Sequence, residues 1–257
     1  MTFSVIGTGN VAWFIATRLT AAGHECTGIY GRNTEASKQL AAAIGCICYG
    51  EISGYDGASD ICFFAVSDGA IEKIAKSITV QDTVLVHTAG ALPIGALAGA
   101  SPHGGILWPI YSISKNDLPK GRNIPCAWEA TSDKARALLL VAGAAISDNL
   151  FEAEYEQRKW LHVAAVIGNN FTNHLMDVCE RICAENNLPF AAMTPILQQT
   201  FERVQHASPQ QVQTGPAIRH DSVTVNAQMA LLEDHPAWQR IYHAITASIQ
   251  APVNANR

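Results

Sequence analysis

The stretch Phe3-Ser-Val-Ile-Gly-Thr-Gly-Asn-Val-Ala12 decides the fold. A short apolar strand runs straight into Gly7-x-Gly9-x-x-Ala12. Val11, Ile15 and Leu19 then recur every four residues beside Ala12 and Ala16, which is helical spacing with a small-residue face. A loop that cradles a dinucleotide asks for these types. Gly7 allows a tight turn, Gly9 lets the backbone approach a pyrophosphate, and Ala12 lets the helix pack closely on the strand. The anion would rest on free N–H groups along Gly7, Thr8, Gly9, Asn10 and Val11. The bland alternative is a glycine turn in some other α/β fold. The strand before the loop, the helix after it and a second strand about 20 residues on argue against that alternative.

Working outward, Gly23 ends the first helix. Cys26–Tyr30 reads as a strand, Thr34–Ala43 as a helix capped by Asn33 or Thr34, and Gly45 stops it. Asp60–Val66 is the most apolar strand; a helix over 70–78 and a strand over 83–86 follow. Alternating strands and helices with continuously apolar strands imply a parallel sheet covered on both faces. Residues 101–131 hold four prolines and are expected to form two or three irregular edge strands. Thr131-Ser-Asp133 should cap a helix over 134–142, with a last short strand over 144–147. From Glu152 the pattern is helical, first in one run to Asn186 without proline, then over 189–205, 221–234 and 236–250. The tail after Pro252 is expected to fray. The reading is therefore α/β: an N-terminal Rossmann-like, doubly wound, mostly parallel sheet over 1–150, followed by an all-α domain over 151–257.

The composition fits. The chain has 257 residues, 48% hydrophobic and 15% charged, enough apolar material for a buried core. No apolar run approaches the roughly 18 residues of a membrane span. A net charge of −5 provides no global field for nucleic acid or anionic lipid. Seven cysteines without CxxC or zinc-site spacing read as buried or incidental thiols, so no metal is expected. With no leader-like segment at the N-terminus, the expected location is the cytoplasm.

The end of the second strand selects the dinucleotide. An Asp or Glu there would take a ribose 2′-hydroxyl. This chain has Tyr30-Gly-Arg-Asn-Thr34 and no acid between Glu25 and Glu35. The Arg32 guanidinium can pair with a 2′-phosphate, with Asn33, Thr34 and Ser37 adding hydrogen bonds, so NADP(H) is the expected cofactor. Arg32 could equally be a solvated loop residue. Two further strand ends should face the cofactor: Val66-Ser67, and His87-Thr88-Ala89, where His87 could also be a structural histidine.

Two constellations mark the second half. Lys159, His162, Val166, Asn170 and Asn173 fall near one face of the long helix at a 3.6-residue period. Histidine and asparagine are unusual for a solvent stripe, so this face is expected to line a cleft. The second is Gln213-Thr-Gly-Pro-Ala-Ile-Arg-His-Asp221. Thr214, Gly215 and Arg219 could offer N–H groups and a guanidinium to a carboxylate. The plain alternative is a helix connection in which Asp221 or Ser222 caps the next helix.

The chain resembles the bacterial proteins that join a Rossmann-like domain to a DUF2520 C-terminal domain and are labelled NADP oxidoreductases. The resemblance is carried by Val5-Ile-Gly-Thr-Gly-Asn-Val, His87-Thr-Ala-Gly, Gly105-Ile-Leu-Trp-Pro, Leu161-His-Val-Ala-Ala-Val-Ile-Gly-Asn-Asn-Phe-Thr-Asn-His174 and Gln213-Thr-Gly-Pro-Ala-x-Arg-x-Asp221. It implies kinship with pyrroline-5-carboxylate reductase and the 6-phosphogluconate dehydrogenase-like group. There an all-helical domain closes the substrate cleft and builds the dimer, so a homodimer is expected. The 3-hydroxyisobutyrate dehydrogenase-like members place Lys and Asn four apart on the long helix. Here His162 is followed four residues later by Val166, so that pair does not carry over.

The expected activity is hydride transfer to or from a small carbonyl, imine, hydroxy acid or amino acid. His162 would move the proton, since imidazole titrates near neutrality. Asn170 would orient the substrate, Lys159 or Arg219 would hold an anionic group, and Asn173, Thr214 and Gly215 would complete the site. The alternatives are a dinucleotide-binding sensor without turnover and a nucleotide-independent scaffold.

Overall fold

The computed structural model describes residues 1–50, 52 and 55–252. The tail expected to fray beyond Pro252 lies outside them. Among the described residues, β1 (Thr2–Ile6), β2 (Glu25–Tyr30), β3 (Cys48–Tyr49), β4 (Ile61–Phe64), β5 (Val84–His87), β6 (Gly104–Pro109), β7 (Pro125–Ala130) and β8 (Asn149–Glu152) form one sheet. Their order is β3-β2-β1-β4-β5-β6-β7-β8. Neighbours are parallel except β6 and β7, which run antiparallel. The chain moves one way from β1 to β2 and returns to the other side through β4. The strand order thus reverses between β1 and β4, and a crevice opens at their carboxyl ends.

Both sheet faces are covered. Along β4, Ile61, Cys62, Phe63 and Phe64 are all fully buried. Ile61 and Phe63 join Phe3, Val5, Val84 and Val86 on one face, under Phe14, Ile15 and Leu19 of α1 (Asn10–Ala21), Leu40 of α2 (Thr34–Ile44), and Leu139 and Ile146 of α4 (Asp133–Ile146). Cys62 and Phe64 join Ile6 and Leu85 on the other face, under Ile71 and Ala75 of α3 (Asp68–Ala75). Each such large side chain contributes about 1.5–3 kcal/mol on burial. This is why the first-half strands read as continuously apolar. Asn33 caps α2 by accepting the Ala36 N–H at 3.0 Å, and Gly45 closes it in the left-handed region at φ 80.

Several expectations are corrected. The proline-rich region supplies β6 and β7, which are interior strands; every residue of β6 is buried. Residues 144–146 finish α4, and the last strand is β8. A short apolar run does not distinguish a buried helix end from a strand. The two-residue β3 carried no periodic signal. The long helix is α5 (Tyr155–Ala165) and α6 (Thr172–Glu185), joined through a π-helical turn over Val166–Phe171.

The chain divides into two compact units, Met1–Gly168 and Asn169–Arg257. The first unit includes α5, whose Arg158 pairs with Glu129 of β7. The second unit is helical: α6, a 3-10 turn over Phe190–Met193, α7 (Thr194–Val204), α8 (Ser222–Leu231) and α9 (Pro236–Gln250).

Candidate functional site

The crevice is built where β1 meets α1. Gly7 has φ +126, and a Cβ there would collide with the Ala65 carbonyl, so the turn crosses β4 with no room for a side chain. Gly9 is the opposite case: no atom of the described residues lies within 4 Å of the position its Cβ would take. Gly9 is the N-cap of α1, with no side-chain cap and no acid in the first turn. A twelve-residue helix whose first N–H groups are uncapped beside open space suits an anion. These residues fit the pyrophosphate of a dinucleotide. Asn10 is partly committed, since its Oδ1 accepts the Lys115 N–H at 3.1 Å.

At the end of β2, Arg32 and Thr34 are exposed. Asn33 spends its Oδ1 on the α2 cap, which leaves only its amide N–H groups for a ligand. Ser37 is buried, and its hydroxyl donates to the Gly31 and Asn33 carbonyls. It therefore shapes the turn, in contrast to the ligand contact expected of it. The set that remains, a guanidinium and a hydroxyl without a carboxylate, fits a 2′-phosphate.

Val66 and Ser67 follow β4, and Ser67 is exposed with no capping bond. His87 departs from the expected cofactor contact. It is fully buried, its Nδ1 accepts the Ala89 N–H at 3.3 Å, and its Nε2 lies 3.3 Å from the Pro93 carbonyl. Burial, aided by the Arg158 charge, pushes its pKa down to about 4 against the pull of the Pro93 carbonyl. His87 is a neutral brace inside the loop; Thr88 is partly exposed, while Ala89 is buried.

α5 lies over this end of the sheet. The His162 ring meets the Trp108 ring edge-on, 5.6 Å between centroids. A Cβ on Gly90 would strike the same Trp108 ring, so Trp108 separates the Thr88–Gly90 loop from His162. Lys159 is turned away: its Nζ pairs with Glu156 at 2.9 Å and lies over the Tyr155 ring, and the Glu156 carboxylate holds its pKa above the usual lysine range. Sequence reading missed Arg158 and Trp108. The available signal was an arginine four residues before His162, hence on its face of the helix.

In the helical unit, Asn170 and Asn173 are exposed. The single-face stripe through residues 159–173 rested on a 3.6-residue period, which the wider π turn over Val166–Phe171 interrupts. Thr214 and Arg219 are exposed on the Gln213–Asp221 connection, and Gly215 takes φ +108. Asp221 caps α8, accepting the Thr224 N–H at 3.1 Å and its hydroxyl at 2.7 Å, and these bonds lower its pKa. The plain reading of Asp221 holds.

Comparison with known proteins agrees. A Bacteroides fragilis protein, provisionally described as an NADP oxidoreductase, is 31% identical over 97% of each chain, with a TM-score of 0.89. The chain belongs to this family. Residues 2–90 match the family described as NADP oxidoreductase coenzyme F420-dependent, and residues 124–249 match DUF2520, a domain of unknown function. A pyrroline-5-carboxylate reductase from Streptococcus pyogenes shares the fold at 14% identity (TM-score 0.65, 97% of this chain and 98% of that one). So does an imine reductase from Myxococcus stipitatus, in complex with NADP+, at 13% (TM-score 0.66, 97% and 93%). No curated protein matches the chain. The match over residues 2–90 and the likeness to the Bacteroides fragilis protein support an NAD(P)-dependent oxidoreductase, while the DUF2520 match assigns no activity. Among the described residues no helix is long and apolar enough to cross a membrane, and no cluster of His, Cys, Asp or Glu could hold a metal.

Proposed function

We propose that this protein is an NADP(H)-dependent oxidoreductase acting on a small carbonyl, imine, hydroxy acid or amino acid. The observation that carries the reading is the uncapped start of α1 at the β1/β4 crevice, open above Gly9, with Arg32 and no acid at the end of β2. The bound nicotinamide would supply or accept the hydride. The chain's own part is to hold the pyrophosphate on Gly7–Val11 and the 2′-phosphate on Arg32 and Thr34. Val66, Ser67, Thr88 and Ala89 would pack against the nicotinamide.

His162 would give or take the proton at its imidazole beside Trp108. The reductases among the structural neighbours favour an imine or carbonyl substrate. Asn170, Asn173, Thr214, Gly215 and Arg219 are proposed for its polar groups, within a substrate and dimerisation domain over 151–257 that follows a nucleotide domain over 1–150. Seven free cysteines suit a reducing cytoplasm. A second reading, a dinucleotide sensor without turnover, is favoured by one observation: Lys159 is committed to Glu156.

The test is thermal stability with NADPH and with NADH. Mass action gives about 2.7 kcal/mol at a hundred times the Kd, which is about 5–10 °C for a chain of this size. The proposal expects the larger shift with NADPH and its loss in Arg32→Ala. A larger shift with NADH would refute the NADP preference, and no shift with either would refute the cofactor. On a carbonyl and imine panel, His162→Gln should cut turnover about a hundredfold while sparing NADPH affinity. Binding without turnover across the panel would favour the sensor.

A further inference from the structure

Arg158 heads the fully buried side chains by size, and it is charged. It sits on α5 one helical turn before His162. Its Nη1 donates to the Glu129 carboxylate of β7 and, at 2.7 Å, to the Ala153 carbonyl. Its Nη2 donates to the Leu92 carbonyl at 3.1 Å, while Nε has no partner among the described residues. Leu92 belongs to the loop that begins at Thr88. The same loop is held from below by His87, whose Nδ1 accepts from Ala89 and whose Nε2–H is therefore left to donate to Pro93. The loop thus has two anchors, one in β5 and one in α5. The second links it to the helix that carries His162, with Trp108 packed between Gly90 and the imidazole.

A buried guanidinium is a poor way to gain stability. Its desolvation is costly, and an apolar side chain of similar volume would hold α5 on the sheet as well or better. Apolar contacts are non-directional, however. A planar fork that reaches Glu129, Ala153 and Leu92 together is satisfied at one axial and rotational setting of the helix.

We infer that Arg158, braced by Glu129, is a positioning residue that sets the His162 imidazole against the Thr88–Gly90 loop. The inference rests on the proposal that His162 moves the proton and that this loop packs against the nicotinamide. Arg158 itself touches neither. Its role is to keep the proton donor and the hydride face at one separation, and a misplacement of about 1 Å can cost about a hundredfold in rate.

The experiment is histidine side-chain NMR on Arg158→Lys, Arg158→Met and Glu129→Gln, with the His162 signals assigned by their loss in His162→Gln. Lysine keeps the charge but cannot span Glu129 and Leu92 at once. The Trp108 ring current reports where the imidazole lies. In both Arg158 variants the His162 signals should move, while those of His103, held by Ser132 at the other end of β6, stay in place. NADPH affinity should remain within about twofold of wild type. With a panel substrate, kcat should fall about tenfold or more with KM little changed. Glu129→Gln should shift His162 in the same direction by less, and it carries the test if neither Arg158 variant folds. Folded variants that lose only melting temperature, with His162 unmoved, would overturn the inference. Failure of the oxidoreductase reading would appear separately, as a wild type that does not bind NADPH or binds it without turnover on the panel.

Discussion

Gly7 and Gly9 stand two residues apart in one loop and do different work. Gly7 needs its left-handed φ and its missing Cβ for the backbone to pass Ala65. Gly9 needs its missing Cβ only when an anion arrives. Gly7→Ala should therefore lower apo stability by about 1–3 kcal/mol. Gly9→Ala should leave the apo melting temperature nearly unchanged and abolish the NADPH-induced shift. Thermal melts of both variants with and without NADPH separate the two roles, and an intact shift in Gly9→Ala would sink the assignment. His87 makes a prediction of a different kind. Its folded pKa, about 4, lies below the ordinary histidine value of 6.5. Below pH 6.5 the unfolded chain takes up a proton that the folded chain refuses, so stability is complete above 6.5 and drains away toward pH 4. The amount is about 3 kcal/mol. Denaturant melts from pH 7 to 4.5 should show a steeper loss in wild type than in His87→Asn; parallel curves would mean that His87 titrates normally. At this scale the sequence exposed the glycines, whose requirement is local, but left His87 open between ligand and brace. Its role depends on Pro93, whose approach is set by a loop that no periodicity describes.

Helix α1 acts on more than the crevice. Asn10 at its start takes the Lys115 N–H, and Arg18 two turns later donates to the Pro119 and Gly121 carbonyls while lying over the Phe14 ring. The helix thus straps the long connection between β6 and β7 at both ends. Charge-assisted bonds of this sort contribute about 1.5–3 kcal/mol when partly buried. Arg18→Ala should cost about 1–2 kcal/mol and raise amide exchange over residues 115–122, leaving α1 itself protected. Exchange mass spectrometry would read this directly, and unchanged protection in that segment would remove the strap. Elements with a strong period were legible in the sequence: β1, α1, β2, α2 and α9 lie within a few residues of where their patterns put them. The errors fall where period is lost or ambiguous. Residues 144–146 are an apolar run that happens to end a helix, and β6 is hidden among prolines that lie outside its ladder or at its end. The π turn over Val166–Phe171 cannot be seen as a pattern, because one extra residue in a turn changes the phase without changing the composition.

At the scale of the whole molecule, the helical unit has too little interior to stand alone. Among the described residues of Asn169–Arg257, the only buried hydrophobic residues are Val178, Cys183 and Ala217, and each keeps some exposure. Meanwhile Val223 and Leu231 are 80% and 82% exposed, and Leu188, Ile196 and Phe201 are also open. On α8, Val223, Ala227 and Leu231 recur every four residues and form one apolar stripe. Patches of this extent mark an interface. A second copy of this chain would offer the same stripe in return, as a two-fold interface requires. We therefore expect a dimer whose melting temperature rises with protein concentration, because folding and association are linked. Placing a carboxylate in that stripe, as Val223→Glu with Leu231→Glu, would bury unpaired charge at the contact, a cost of several kcal/mol. Sedimentation equilibrium at micromolar concentration should find the wild type dimeric and the double variant monomeric, with the helical unit's melting lowered. A monomeric wild type, or a double variant that still pairs, would show that this stripe serves something other than self-association. The helix content of this unit was legible in the sequence, because each helix carries its own period. Its lack of an interior was not, since that depends on which apolar stripes the fold leaves uncovered.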